Sequence, residues 1–387
     1  MLATFAVIAV LLGAAALLSR LASEAGLPAP AATVLVGVAA AGMLPHALHI
    51  ALTPAILALF LPALIFEAAW AYDAHMLRGA AVAIGVLAVP GVVLTALAIV
   101  GGAAFASGFA LPAALALGTI LSATDPVAVL ALFRKLNVPV HLLTIVEGES
   151  IANDGVAVVL LQAVTPLAGP GIPAPIGVLG HMAYVSGAGV LVGIAIATVA
   201  RTILHADVRP WGKIAVTLVV AYGSYGAASF LGASGILASA AAGIALPALA
   251  RSEQLTIERF WDRTAAFANA VVFLLTGLSV QFARIFNEPL LLGVTLAAVL
   301  ASRGLLAYVL VPLRGPATER RAWRHAIALA GLRGGLSLAL ALGLPAEFPN
   351  RAQIIDAVFA VVFLTLVVQS WALAPLIRRL HLQNAGS

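Results

Sequence analysis

The stretch SATDPVAVL, Ser122 to Leu130, puts a proline and a carboxylate in the middle of an apolar run that extends over about 110–133. Proline has no N–H to donate, its ring collides with the preceding turn, and the residue before it is pushed out of the α region. A helix through this run is therefore predicted to break near Thr124 and Asp125. Read as a helix start, Asp125 is a favourable N-cap and Pro126 a favourable first residue, so a second half-helix begins there. The first half ends in unpartnered carbonyls, whose partial negative charge favours a nearby cation. A plain proline kink packed against neighbours is the alternative, and the adjoining carboxylate argues against it.

Working outward, the composition decides the solvent. Of 387 residues, 63% are hydrophobic and 9% charged, against roughly 25% charged in soluble proteins. So few charges cannot cover a soluble domain of this length, and the chain reads as membrane-integrated. Spans of about 20 apolar residues are placed at roughly 2–18, 28–44, 51–71, 80–106, 110–133, 141–166, 175–200, 212–231, 234–249, 264–283, 289–312, 323–344 and 353–377, which makes 13. The first run lacks a basic leader and its first cation, Arg20, follows it, so it reads as a retained span and not as a signal peptide. The net charge of +5 comes from Lys and Arg scattered over short loops, without the basic stripe and interleaved aromatics that nucleic acid requires. Cysteine is absent, which excludes disulfides and thiolate metal sites.

Sorting the cations by loop orients the chain. Of 20 Lys and Arg, 16 fall in loops after odd-numbered spans or in the tail, only Arg284 and Arg351 fall after even-numbered spans, and Arg303 and Arg333 lie within spans. Basic residues gather on the cytoplasmic side, so the N-terminus is expected outside and the C-terminus in the cytoplasm. Thirteen divides as six, one and six, which permits two six-helix repeats of inverted topology, a plan used by secondary transporters. The expected fold is an all-α polytopic membrane protein with two broken helices. The second break falls in span 12 at AGLRGGLS, Ala330 to Ser337, where three glycines surround Arg333.

The acids inside spans are Glu67, Asp125, Glu147, Glu149 and Asp154. Each is costly in hydrocarbon unless paired or hydrated, so each is a functional hypothesis. Ser150 and Asp154 are four apart and share a helix face with Glu147, while Glu149 and Asn153 form the adjoining face. Asp154 and Asp125 are the best cation ligands, supported by Ser150, the Thr124 region and Glu67, since hard cations prefer oxygen donors. Arg333 is expected to pair with Glu149, Arg303 to snorkel to the cytoplasmic surface, and Glu147 to reach water. Asn153 supplies a polar anchor without a second titratable group.

At these residues the chain resembles the NhaP-type cation/proton antiporters, the branch that includes the animal sodium/proton exchangers. The resemblance rests on FLPALIFEAAW, ATDPVAVL, EGESIANDG and GLRGGLSLALAL, which occur in that order and at the expected depth between Phe60 and Leu342. It implies a single exchanger domain over 1–383 without a separate soluble domain, lacking the regulatory tail of some relatives. It also implies a homodimer in the plasma (inner) membrane, with dimerisation helices drawn from about 1–71 and 175–249 and a mobile core from about 80–166 and 264–377. Asp154 becomes the exchanging carboxylate, with Asp125, Thr124, Ser150 and Glu67 around Na⁺ and a Glu149–Arg333 pair stabilising the core. The Asn-Asp pair resembles the electroneutral branch, one cation for one proton, with K⁺ or Li⁺ as alternative cargo. No cofactor is implied. A cation channel would use similar carboxylates without obligatory coupling. An intramembrane enzyme lacks support, since the spans carry no histidine pair and no serine with a matching general base.

Overall fold

The structure, a computed structural model, describes residues 2–24, 27–43, 52–70, 74–169, 175–204, 209–246, 251–280, 288–313 and 317–380. Every regular element among them is helical, as expected where hydrocarbon leaves no water to satisfy an open backbone. In chain order the helices are α1 (Leu2–Glu24), α2 (Ala29–Met43), α3 (Pro54–Trp70), α4 (Ala74–Ser107), α5 (Leu111–Ile120), α6 (Val127–Lys135), α7 (Val140–Val164) and α8 (Pro175–Leu204). They continue as α9 (Pro210–Phe230), α10 (Gly235–Ala245), α11 (Arg251–Ser279), α12 (Pro289–Leu305), α13 (Ala317–Ala330), α14 (Gly335–Leu342), α15 (Arg351–Leu364) and α16 (Ser370–Arg379). A π-helical turn, Leu306–Leu310, follows α12, and another, Thr365–Gln369, joins α15 to α16.

Among the described residues, six helical stretches are long and apolar enough to cross a membrane: Gly79–Phe105, Val140–Ala168, Leu179–Leu204, Pro289–Leu310, Thr318–Leu342 and Arg351–Arg379. Shorter apolar helices accompany them, among them Ala29–Met43, Pro54–Trp70 and Gly235–Ala245. Each stretch read as a span from the sequence carries one helix or a pair. Large apolar side chains face outward along them, such as Val82 at 70% exposure and Leu191 at 68%, a pattern suited to lipid and not to water. Arg284 and Arg314, two of the charges that orient the chain, lie outside the described residues.

The chain divides into two compact units. The first comprises Met1–Pro54, His75–Ala157 and Ala270–Ser387, and the second Ala55–Ala74 and Val158–Asn269. Residues 1–54, assigned by the resemblance to the dimerisation helices, thus group with the first unit. The physical reason is a glycine crossing of α2 on the last turns of α11: a Cβ on Gly37 would stand 2.9 Å from the Leu278 nitrogen and 3.0 Å from the Gly277 Cα. Only glycine admits backbones this close, and small-residue crossings of this kind hold helices together in lipid.

The second unit has an aromatic core. Phe66 and Trp70 of α3 pack with Trp261 of α11, the Phe66 and Trp261 rings lying 4.7 Å apart, and Ala200, Ile214 and Leu246 close around them. The Trp261 indole N–H is satisfied by the Thr217 hydroxyl at 3.0 Å. Pro62 interrupts the bonding of α3, and hydroxyls from neighbouring helices reach its carbonyls: Tyr222 donates to Leu59 O at 2.8 Å and Ser239 to Pro62 O at 3.2 Å.

The first unit holds both broken helices. Between α5 and α6 the chain is unwound over 121–126, and between α13 and α14 over 331–334. The two unwound segments are hydrogen-bonded to each other, the Asp125 N–H donating to Leu332 O at 2.9 Å.

Candidate functional site

The site grows from the unwound backbone. The Asp125 carboxylate accepts the Val127 N–H at 2.9 Å and also faces the Gly335 N–H. It therefore sits at the start of α6 and at the start of α14 together, where free N–H groups and the helix dipoles favour negative charge. Pro126, with φ −84 and ψ −11, stands at the N-cap of α6, which begins at Val127, so the break falls where the sequence predicted and the helix starts one residue later. The carboxylate approaches the second break so closely that a Cβ on Gly334 would overlap its carbon and oxygen atoms.

The opposite polarity is handled by Arg333. Its side chain is 1% exposed, and its Nη1 donates to Ala123 O at 3.1 Å and Ser122 O at 3.3 Å. Those are carbonyls that the end of α5 leaves without helical partners. Ser337 of α14 donates to Ile120 O at 2.9 Å and completes the cap. A cation of the protein, the Arg333 guanidinium, thus occupies the negative end of the first half-helix.

Two side chains of α7 hold the same segment from the other side. Ser150 donates its hydroxyl to Thr124 O at 2.6 Å. Asn153 donates its amide to the Thr124 hydroxyl at 2.6 Å and accepts the Thr124 N–H at 3.4 Å. The same amide donates to Glu149 at 3.5 Å. The i, i+4 spacing of Glu149 and Asn153 is what brings that pair together.

Glu149 corrects two expectations. Its ion-pair partner is Arg303, not Arg333: the two form a bidentate pair, with Arg303 Nη1 on Oε1 and Nη2 on Oε2, the latter at 2.7 Å. Arg303 does not snorkel, being 4% exposed, and its Nε donates to Ile327 O at 3.0 Å. Both arginines lie within spans, and only the packing of α12 beside Gly331 decides between them: a Cβ on Gly331 would stand 2.8 Å from the Arg303 Nε. Arg333 is drawn away to the carbonyls of 122 and 123. Glu147 is half-buried and pairs with the exposed Arg134 at 3.5 Å.

Asp154 differs from the other acids of the site. Its Oδ1 is buried and has no hydrogen-bond partner, although Asp125, Glu149 and Arg333 lie within electrostatic reach. A buried carboxylate oxygen without a donor is costly unless something else meets it. Thr124, Asp125, Ser150, Asn153 and Asp154 are thus brought together within the first unit, while Glu67 stands on α3 in the second unit. Among the described residues no three acidic or imidazole groups gather closely enough to hold a metal by themselves.

Residues 7–379, nearly the whole chain, match the pattern of the transmembrane sodium/hydrogen exchangers. The chain belongs to the sodium/hydrogen exchanger family. It is an integral, multi-pass membrane protein, and its family is one of transporters and not of enzymes. This exchanger-family chain is 34% identical over 342 residues to the Na(+)/H(+) antiporter ApNhaP of Aphanothece halophytica, covering 84% of this chain and 65% of that one. It is 30% identical over 341 residues to the Na(+)/H(+) antiporter NhaH of Halobacillus aidingensis, covering 84% and 83%. Against several of these relatives it spans just under two thirds of their length. Its fold is that of the sodium proton antiporter MjNhaP1 from Methanocaldococcus jannaschii, with a TM-score of 0.77 at 20% identity over 98% of this chain and 99% of that one.

Proposed function

We propose that this chain is a secondary active transporter that exchanges Na⁺ for H⁺, with Asp154 as the carboxylate both ions share. The observation that carries this reading is the buried Asp154 oxygen without a donor, next to an unwound segment held open by Ser150, Asn153 and Arg333. A carboxylate in that position holds a cation or a proton and never both. Competition is then the coupling, and the carboxylate needs no moving part of its own.

Asp125, the Ser150 hydroxyl oxygen and the Thr124 backbone complete an all-oxygen set for a hard monovalent cation. Asn153 orients Thr124, and the Glu149–Arg303 pair fixes Asn153. Crossing of the membrane is allowed only with Asp154 neutralised, because a bare charge in hydrocarbon is costly. The exchange is electroneutral, one for one, and proceeds by elevator-type alternating access in a homodimer of the plasma (inner) membrane, through inverted repeats and 13 spans with a cytoplasmic C-terminus. The names of the relatives support Na⁺ as cargo, and K⁺ or Li⁺ are the alternatives.

The test is exchange by purified protein in liposomes under an imposed pH gradient, with Na⁺, K⁺ and Li⁺ compared. Asp154→Asn keeps the size of the side chain and removes its ionisation. It is expected to fold, and to exchange at less than about a hundredth of the wild-type rate, the scale of losing a group that acts in every cycle. Wild-type-like Na⁺/H⁺ exchange by Asp154→Asn would overturn the reading. Cation current without proton coupling in the wild type would favour a channel instead.

A further inference from the structure

In an unbroken helix the Arg333 N–H would donate to Leu329 O, four residues earlier. The second break removes that rung and leaves both groups inside the protein. The structure gives each a new partner, and both come from the π-helical turn between α15 and α16. The Arg333 N–H donates to the Thr365 hydroxyl oxygen at 3.1 Å, and the Gln369 side-chain amide donates to Leu329 O at 2.9 Å. Thr365 is 2% exposed and its own hydroxyl hydrogen goes to Val362 O at 3.2 Å.

We infer that Thr365 and Gln369 are positioning residues that replace the missing rung and so hold the second break open. They are the first and last residues of the π turn, four apart, the same separation as Leu329 and Arg333. A π turn in an α-helix is unfavourable and marks functional places more often than structural ones. Here it lies where one acceptor and one donor are needed for the two ends of a broken rung. Fixing the Arg333 backbone aims its guanidinium at Ser122 O and Ala123 O, and fixing the segment keeps Leu332 O on the Asp125 N–H. Both breaks, and through them the surroundings of Asp154, depend on these two side chains. Neither touches the proposed ion.

The inference rests on the exchanger reading for its consequence in transport, but its structural part is tested without it. In Thr365→Val the Arg333 N–H loses its acceptor with little change in shape. Amide exchange across 331–335 in the detergent-purified full chain is expected to rise about tenfold or more, the scale of one buried hydrogen bond, with α4 unchanged. Thr365→Ser keeps the oxygen and should match wild type. Gln369→Glu keeps the size and replaces the donor by an acceptor, so it should raise the apparent KM for Na⁺ about tenfold with the protein still folded. A role in stability alone would lower the amount of folded protein and leave the KM of the survivors unchanged.

Unaltered amide exchange in Thr365→Val, a wild-type KM in Gln369→Glu, or a Gln369→Glu chain that does not fold would each overturn the inference. If the wild type itself exchanges no Na⁺ for H⁺, the functional reading fails, and the amide-exchange comparison alone decides this one.

Discussion

Asn153 and Asp154 are neighbours in sequence and opposites in bonding. Asn153 uses both halves of its amide, giving hydrogens to Thr124 and Glu149 and accepting one from the Thr124 backbone. A carboxylate at 153 has no hydrogen to give: the Thr124 hydroxyl would have to turn its own hydrogen toward it, and Glu149 would face it acceptor to acceptor. Asn153→Asp is therefore expected to weaken the protein by about 1–3 kcal/mol, the cost of unmade buried bonds, and not to convert it to an electrogenic exchanger. Thermal unfolding in detergent, with flux measured alongside, checks both parts. A fully stable, voltage-driven Asn153→Asp would show that the amide is not an anchor. The two ion pairs of α7 separate in the same manner. Removing one partner of the buried Glu149–Arg303 pair, as in Arg303→Met, strands a charge and should destabilise by about 3–5 kcal/mol. Arg134→Ala removes a partner that is 66% exposed and should change stability by about 1 kcal/mol or less. Comparable losses from the two substitutions would contradict this division.

At the scale of elements, the two breaks differ in how far they could be read in advance. The first was legible because proline acts on its own helix: Pro126 and Asp125 dictate where α6 begins, and α6 begins there. The second is marked only by glycines, which permit a break without locating it. What holds it open comes from Thr365 and Gln369, more than thirty residues downstream, and a single sequence carries no signal linking them to Leu329 and Arg333. The choice between Arg303 and Arg333 as partner of Glu149 failed for the same reason. Both lie within spans, and only the space left beside Gly331 brings Arg303 in. Gly334 belongs to this scale too, because its missing side chain is what lets the start of α14 meet Asp125. Gly334→Ala is expected to displace the Asp125 carboxylate and cut exchange by at least about tenfold, while adding a residue of better helix preference at the start of α14. Initial rates in proteoliposomes measure this, and a Gly334→Ala chain with the wild-type rate would mean that Asp125 does not need its present position.

At the scale of the whole molecule, the proposed exchange turns on how much charge moves per cycle, and the bonding of the buried acids supports a count of none. Asp125 is committed to the N–H groups of Val127 and Gly335, Glu149 to Arg303, and Glu147 to Arg134. Among these four acids of the first unit, Asp154 alone has a buried oxygen with no hydrogen-bond partner. In the proposed exchange, one negative group that crosses with either Na⁺ or H⁺ carries zero net charge in both directions, so a full cycle would move none. A membrane potential acts on transport only through the net charge moved, at about 2.3 kcal/mol per elementary charge per 100 mV. Had the cycle moved one charge, clamping 100 mV across the vesicle would bias the final Na⁺ ratio roughly fiftyfold, which is that energy expressed as an equilibrium constant. The expected bias is none. Vesicles holding a fixed pH gradient should reach the same Na⁺ ratio at zero potential and at an imposed 100 mV, and a ratio that follows the potential would require a second titrating acid among the three assigned here to structural partners.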